Sequence, residues 1–207
     1  QMLDYLEANG LDENTIVVYT SDQGFYLGEH GWFDKRWMYE PSFRMPFMIK
    51  YPKKIKAGTH NKELLLNIDF APTLLDLAGV SIPKDIQGES FKKHLYGKRY
   101  KGRDAVYYHY YEYPFWHKVQ PHYGVSTGKY KLIHYYYDMD EWELFDLEND
   151  KNEMQNLYGK PGYEKITFTL KQKIKSLQKQ YKDDMSLDEM RAMTDMVVKR
   201  VYSERNN

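Results

Sequence analysis

The sequence of 207 residues contains no cysteine, which removes disulfide bonds, a cysteine-ligated zinc site and a cysteine nucleophile at once. It also lacks net charge, since 30 Lys and Arg balance 30 Asp and Glu, and this argues against nonspecific nucleic-acid binding. No apolar run approaches the ~20 residues of a membrane span. What is present is 42% hydrophobic and 16% aromatic residues, a composition typical of a globular protein.

Hydrophobic periodicity and turn residues predict six elements before residue 100. They are a helix at 1–9, a buried strand at 15–20, a short helix at 37–40, a strand at 46–52, a helix at 69–78 and a short helix at 91–95. We expect Asp69 to cap the longer helix and Gly79 to end it. The last short helix is expected within a loop over 88–102.

A change to tyrosine-rich, β-prone sequence near residue 105 predicts a boundary between two domains, 1–104 and 105–207. The second domain is expected to hold strands at 105–113, 130–137 and 142–146, a helix at 163–181 and a last helix to about 202. Ser186 and Glu189 form a capping box that would open the last helix. The strands suggest a small antiparallel sheet.

Three chemically active side chains follow the strand at 15–20. Asp22 and Gln23 come directly after it, and Lys35 lies a short loop further on. Carboxylate and amide oxygens suit a hard divalent cation, and a lysine suits an anionic substrate held by that cation. The alternative is a Gly-rich turn with a solvated salt bridge.

The segment at 20–52 resembles the second metal-binding segment of type I sulfatases, the formylglycine-dependent branch of the alkaline phosphatase superfamily. Asp22 and Gln23 match the pair of metal ligands, and Lys35 matches the sulfate-binding lysine. Further matches follow in the family's order at 67–79, 129–133 and 143–150. The sequence is most similar in this respect to bacterial glycan sulfatases of the N-acetylglucosamine-6-sulfatase type.

Two family motifs are missing from the chain. The formylglycine nucleophile arises from Cys or Ser in a C/S-x-P/A-x-R segment, and the look-alike at 41–44 lacks the required spacing. The paired aspartates of the first metal segment are missing as well. We therefore expect a C-terminal part of a sulfatase, inactive when separated from the remainder.

The resemblance implies an α/β fold, the C-terminal part of an alkaline-phosphatase-like α/β sandwich followed by a small antiparallel sheet packed with a helix. It implies Ca²⁺ as cofactor, with Mg²⁺ as the alternative, and a formylglycine supplied by the remainder of the sulfatase chain. The implied substrate is a sulfated carbohydrate. Neither nucleic acid nor a membrane span is expected, and the family resemblance favours a periplasmic or exported protein.

Lys35 would direct its ammonium at the sulfate oxygens, and the alternative is a surface lysine paired with Asp34 or Glu40. Arg36 is the neighbouring candidate if the register differs by one residue. His30 lies in the same loop, where it would protonate a leaving group or orient a ligand, because imidazole titrates near neutrality. A histidine that only stabilises the loop is the alternative.

A second cluster of aromatic and polar residues at 109–122 suits a sugar, which offers an apolar face and a rim of hydroxyls. From it we select His109, Trp116, His117 and His122 as substrate-binding candidates. His117 and His122 are expected in a proline-flanked loop. The alternatives are strand aromatics that pack on a helix, or a weakly supported zinc site.

Two rival functions remain open from the sequence. One is a phosphodiesterase or phosphonate hydrolase of the same superfamily, which also uses metal carboxylates. The other is a non-catalytic glycan-binding piece, which would keep sugar affinity without metal.

Overall fold

The structure is a computed structural model that describes residues 1–98 and 101–205. Its helices are α1 (Met2–Ala8), α2 (Glu40–Phe43), α3 (Phe70–Ala78), α4 (Lys92–Leu95), α5 (Glu164–Tyr181) and α6 (Leu187–Arg205). Its strands are β1 (Val17–Thr20), β2 (Phe47–Lys50), β3 (Val106–Tyr110), β4 (His122–Ser126), β5 (Tyr130–Tyr135) and β6 (Glu141–Asp146). Arg99 and Tyr100, in the expected loop, lie outside the described residues.

Most elements lie where the sequence predicts them, with two differences. The short helix expected at 37–40 is displaced to α2, which begins at Glu40. Strand β4 is not expected at all, because the sequence predicts a loop there. The mixed helix and strand composition, with a separate antiparallel sheet, confirms the predicted fold class.

The chain forms two compact units, and each unit is built from two separate segments of the sequence. The first unit contains Gln1–Gly24 and Arg44–Arg103, and the second contains Phe25–Phe43 and Asp104–Asn207. The boundary near residue 104 therefore coincides with a change of unit. The loop at 25–43 belongs to the second unit, although it lies inside the first predicted domain.

In the first unit, β1 pairs antiparallel with β2, with Val18 opposite Ile49. The expectation that β1 is buried is wrong, since Tyr19 and Thr20 are exposed and the rest of the strand is half-buried. The physical reason is that a sheet of two strands offers few neighbours to cover either face.

Helix α3 begins after Asp69 and ends at Gly79, which adopts φ +74° and accepts the left-handed geometry of a helix C-terminus. Asp69 makes no side-chain cap to this helix, contrary to expectation. Its carboxylate instead accepts main-chain hydrogen bonds from Leu66 and Glu89, at 2.8 Å each. Asp69 therefore ties together loop segments on both sides of α3.

The second unit is built on a four-stranded antiparallel sheet in the order β3-β4-β5-β6. Alternate residues face opposite sides, as the strand period of two requires. One face packs through Val125, Leu132 and Leu144 against a row of residues on α5, namely Leu170, Ile174 and Leu177. This contact is the larger core of the unit, and the sheet packed with a helix agrees with the predicted fold.

The other face of the sheet is covered by the loop at 25–43. Ile133 and Phe145 of the sheet pack against Tyr26 and Met38 of the loop, and all four side chains are buried. The loop is thus part of a hydrophobic core, which fixes its path across the sheet.

Helix α6 begins with the predicted capping box. The Ser186 main-chain N–H donates to the Glu189 carboxylate at 2.8 Å, and the Glu189 N–H donates to Ser186 Oγ at 3.3 Å. Met190 buries its side chain in the sheet core. Within residues 1–98 and 101–205, which the structure describes, no helix is long and apolar enough to cross a membrane.

Candidate functional site

In the first unit, Asp22 lies at the end of β1 beside an open depression of about 550 Å³. Ser21 Oγ donates to Asp22 Oδ1 at 3.1 Å, and Asn67 Nδ2 donates to the Asp22 carbonyl at 2.8 Å. The depression is lined by Thr20, Ser21, Asp22, Asn67, Ile68 and Phe70. The Asp22 side chain is exposed, so its carboxylate is accessible to an ion.

Asn67 is a residue of this site that sequence reasoning missed. It lies in the 3₁₀ turn Asn67–Asp69 that precedes α3. The only sequence signal was its place within the family-like segment at 67–79, which gives no role. Its hydrogen bond fixes the main chain of Asp22 and thereby restricts where the carboxylate lies.

Gln23 follows Asp22 and is half-buried. The two side chains offer a charged oxygen and an amide oxygen, which are donors that hard divalent cations prefer. Within the part of the chain described, no group of three or more His, Asp or Glu side chains is arranged to hold a metal ion. Asp22 and Gln23 therefore fit calcium chemically but supply only part of a ligand set.

In the second unit, Lys35 is half-buried in the loop at 25–43. Its main-chain carbonyl accepts a hydrogen bond from Ser42 Oγ at 2.6 Å, and its main-chain N–H donates to Asp34. The loop is therefore fixed on both sides of the lysine. Asp22 and Lys35 belong to different units, so their predicted convergence on one pocket stays a prediction.

His30 adopts φ +54° in a 3₁₀ turn of the same loop. Its ring stacks on Tyr39, with centroids 4.8 Å apart and an interplanar angle of 15°. It also stacks on Trp32, at 5.7 Å. The stacking holds the ring plane and supports the loop-stabilising alternative without testing a role in proton transfer.

A charged cluster surrounds Arg36. The guanidinium lies 2.9 Å from Asp34 and 3.5 Å from Glu112, and His117 Nδ1 lies 3.4 Å from the second oxygen of Asp34. Burial alone would raise the pKa of Asp34, but hydrogen bonds from Arg36 and the Lys35 N–H outweigh it and lower that pKa. The carboxylate is thus held charged beside Lys35.

Asp34 is the second residue that sequence reasoning missed as part of a site. Its position beside Lys35 suggested only a surface ion pair. Its partner His117 is far away along the chain, and no local pattern reveals such a contact. The structure brings together the predicted Arg36 and His117 around it.

Trp116 lies beside His117 with 86% of its surface exposed. Phe115, its neighbour, is 41% exposed. Single exposed apolar side chains are common on protein surfaces, so exposure alone assigns no role. The position of Trp116 agrees with a sugar platform, and its role stays a prediction.

His109 and His122 are internal, unlike the ligands expected. His109 Nδ1 lies 2.7 Å from Asp183, and its Nε2 lies 3.1 Å from the Tyr136 hydroxyl. The expectation that His122 lies in a loop is wrong, because it is a fully buried residue of β4. Burial in the sheet gives both imidazoles structural contacts.

His122 donates from Nδ1 to the Gln120 carbonyl at 2.7 Å, and its ring stacks with Trp37 and with Tyr110, at centroid distances of 5.8 and 5.5 Å. Burial lowers the pKa of His122 to about 4. The imidazole is therefore neutral at physiological pH.

A protein-family model covers most of this second unit. The model described as N-sulphoglucosamine sulphohydrolase, C-terminal, matches residues 28–180, well over half of the chain. The chain belongs to this sulfatase family. This chain is 54% identical over 187 residues to the N-acetylglucosamine-6-O-sulfatase of Bacteroides thetaiotaomicron. The alignment covers 89% of this chain and 34% of that protein.

Comparison with solved structures also finds sulfatases among the similar proteins. A structure solved in complex with its substrate D-glucosamine-2-N,6-O-disulfate is 55% identical, with a TM-score of 0.84 over 88% of this chain and 38% of that one. A phosphonate monoester hydrolase of Agrobacterium radiobacter, 21% identical, has a TM-score of 0.75 over 86% of this chain and 38% of that one, which shows the fold alone. The sulfatase chain spans about a third of the length of the curated relatives it matches.

The comparisons confirm the predicted resemblance to sulfatases. The family match includes Lys35, Arg36 and His117, and it excludes Asp22. None of the comparisons assigns a role to an individual residue, so the roles below are proposals.

Proposed function

We propose that these residues are the C-terminal part of an enzyme that hydrolyses sulfate monoesters on sugars. The observation that supports this most is the cluster of Lys35, Asp34, Arg36 and His117, which lies inside the family match. A lysine whose main chain is held by hydrogen bonds, beside a cluster of charged side chains, is suited to hold an anion and a polyhydroxylated ring together. The relative named N-acetylglucosamine-6-O-sulfatase favours a sulfated glucosamine or a related glycosaminoglycan unit.

Asp22 and Gln23 would hold a calcium ion, with magnesium as the alternative. When bound, the ion supplies positive charge to the sulfate ester. The nucleophile, a formylglycine, is assigned to a segment of the parent protein outside these residues. Asn67 and Ser21 would keep the Asp22 carboxylate in position.

Lys35 would bind the sulfate oxygens, where its ammonium stabilises the charge that develops in the transition state. His30 would donate a proton to the leaving sugar oxygen. Its stacking on Tyr39 and Trp32 would keep the imidazole in one orientation for this transfer. These two side chains come from one loop that the sheet core holds in place.

Arg36, His117 and Asp34 would contact the hydroxyls and substituents of the sugar, and Trp116 would cover its apolar face. His109 and His122 have internal partners and are assigned no substrate contact. The family resemblance favours a periplasmic or exported location for the parent enzyme.

The test uses the intact parent enzyme with N-acetylglucosamine 6-sulfate as substrate. Lys35→Ala should lower kcat about 100- to 1,000-fold, as expected for the loss of one transition-state charge contact. Asp22→Ala should raise the calcium concentration needed for half-maximal activity. Lys151→Ala, an exposed lysine after β6, is the matched control and should leave both values unchanged. Full activity of Lys35→Ala would refute the assignment.

The fold likeness to a phosphonate monoester hydrolase keeps one second candidate open. A sulfated sugar and a phosphonate monoester should therefore be compared in the same assay. Higher kcat/KM for the phosphonate ester would favour the second candidate. Sugar affinity without turnover or metal dependence would indicate a binding protein instead.

A further inference from the structure

Lys131 is a fully buried lysine in β5, on the face of the sheet that the loop at 25–43 covers. Its ammonium lies 2.9 Å from Glu40 Oε1 and 2.7 Å from Glu153 Oε1. It also lies 5.1 Å from the centroid of the Phe43 ring. The lysine therefore binds both ends of helix α2.

Glu153 adds a second contact to the same helix. Its side chain is fully buried, and its Oε2 accepts the main-chain N–H of Glu40 at 2.6 Å. Burial raises the pKa of Glu153, while the Lys131 ammonium opposes this effect. Glu40 is thus held through its carboxylate by Lys131 and through its main chain by Glu153.

Helix α2 transmits this anchorage to Lys35. Ser42, a buried residue of α2, donates its hydroxyl to the Lys35 carbonyl at 2.6 Å. Just before α2, the Tyr39 hydroxyl donates to Glu143 of β6 at 2.5 Å. The main chain at Lys35 is therefore tied, through one short helix, to two strands of the sheet.

Stability alone does not account for three charged groups in this core. Desolvating buried charges costs several kcal/mol per ion, so apolar residues of similar size are often as stable or more stable. The surrounding side chains, such as Ile133 and Phe145, are apolar and would accept a methionine at position 131. What the charges supply is a single orientation for α2, since the ammonium must meet two fixed carboxylates.

We propose that Lys131 is a positioning residue that fixes the place of Lys35 through Glu40, Glu153 and Ser42. The inference rests on the proposed role of Lys35 in sulfate binding. Lys131 itself touches no substrate. Its loss would displace the Lys35 ammonium from the sulfate and lower kcat more than it raises KM.

The decisive test is a double-mutant cycle between Ser42 and Lys35 in the intact parent enzyme. Ser42→Ala keeps the ion pairs and removes the hydroxyl that donates to the Lys35 carbonyl. It should lower kcat about 10- to 100-fold, as small displacements of a reacting group do. In the Lys35→Ala background it should lower kcat no further, because its effect acts through Lys35.

A matched control is Thr194→Val, which removes another buried hydroxyl of the same unit, one that donates to the Met190 carbonyl at 2.9 Å, and should leave kcat unchanged. If Ser42→Ala has wild-type kcat, or lowers kcat equally with and without Lys35, the inference is overturned. If Lys35→Ala itself has wild-type kcat, the proposed function fails first. The two failures are therefore distinguishable.

A second arm removes the charges themselves. The double variant Lys131→Met/Glu153→Met leaves neither an unpaired ammonium nor an unpaired fully buried carboxylate. We expect it to keep the thermal midpoint within a few degrees and to lose kcat as Ser42→Ala does. Wild-type kcat in a folded double variant would overturn the inference. If the double variant does not fold, the Ser42–Lys35 double-mutant cycle alone decides whether the inference stands.

Discussion

The guanidinium of Arg103 donates two hydrogen bonds to the carboxylate of Asp69, of 2.5 and 2.7 Å. Asp69 has no exposed surface, and its oxygens also accept the main-chain N–H groups of Leu66 and Glu89. All four donors converge on a residue that the sequence suggests is a helix cap. The pair holds the turn that places Asn67 against Asp22.

Arg103→Met should destabilise the protein by about 3 kcal/mol, because it leaves a buried carboxylate without its countercharge. The measurement is the shift of the denaturation midpoint in the intact protein. Adding Asp69→Asn to Arg103→Met should recover part of the loss, since no unpaired charge remains. An unchanged midpoint for Arg103→Met would show that the two main-chain donors suffice.

The pH dependence of stability should reflect His122. Its folded pKa is about 4, below the ordinary 6.5, so between these values the unfolded chain binds a proton that the folded protein does not. The free energy of unfolding should therefore fall as pH decreases from 6.5 to 4. His122→Phe should flatten this slope in equilibrium unfolding curves. The control His60→Phe, at an exposed site, should not, and equal slopes for both would refute the assignment.

Trp116→Ala should raise KM for the sulfated sugar about tenfold, the equivalent of one aromatic contact. Because the side chain is almost wholly exposed, the thermal midpoint should not change. Phe115→Ala is the matched control, an adjacent exposed ring that should leave KM unchanged. Equal effects of the two variants would indicate general loop disruption.

Ser186→Ala should destabilise α6 by about 1 kcal/mol, since it removes half of the capping box. The expected signature is faster amide hydrogen exchange at Glu189 and Met190, at the start of the helix. Ser203→Ala, in its last turn, removes only an exposed contact to the Arg200 carbonyl and should have a smaller effect. Unchanged protection in Ser186→Ala would mean that tertiary contacts, such as those of Met190 and Arg191, hold the start of the helix without the cap.

Elements with long, regular periodicity were predictable from the sequence. Helix α5 repeats its apolar residues at helical spacing, and the same residues form the core against the sheet. The capping box of α6 is likewise a local signal. Local patterns succeed where the local interactions and the packing favour the same structure.

Strand β4 could not be predicted, because its requirements come from tertiary contacts. Gly124 weakens a strand by propensity, yet a Cβ there would lie 2.6 Å from the Met38 sulfur and 2.5 Å from the Leu132 carbonyl oxygen. The glycine thus allows the loop to approach the sheet. His122 lies two residues before Gly124 and is buried in the same strand. Because this burial comes from tertiary contacts, the local sequence does not identify His122 as a core residue.

The candidate site was predictable only in part. Asp22, Gln23 and Lys35 follow a strand and match a family motif, so the sequence order proposes them as candidates, and Arg36 enters only as the neighbour of Lys35. Contacts across long sequence separations do not leave such a signal. Lys131 meets Glu40 across 91 positions, and a charged residue in a strand is ordinarily read as solvent-facing.

The loop at 25–43 is separated in sequence from the four-stranded sheet but shares its core through Met38 and Ile133. A chimaera that exchanged only residues 104–207 between two relatives would set a foreign sheet beneath the original loop. Mismatched packing would then move Lys35 even if every polar residue were retained. We therefore expect that a transfer of specificity between such relatives needs both segments to be exchanged together. The family match over residues 28–180 includes most of both.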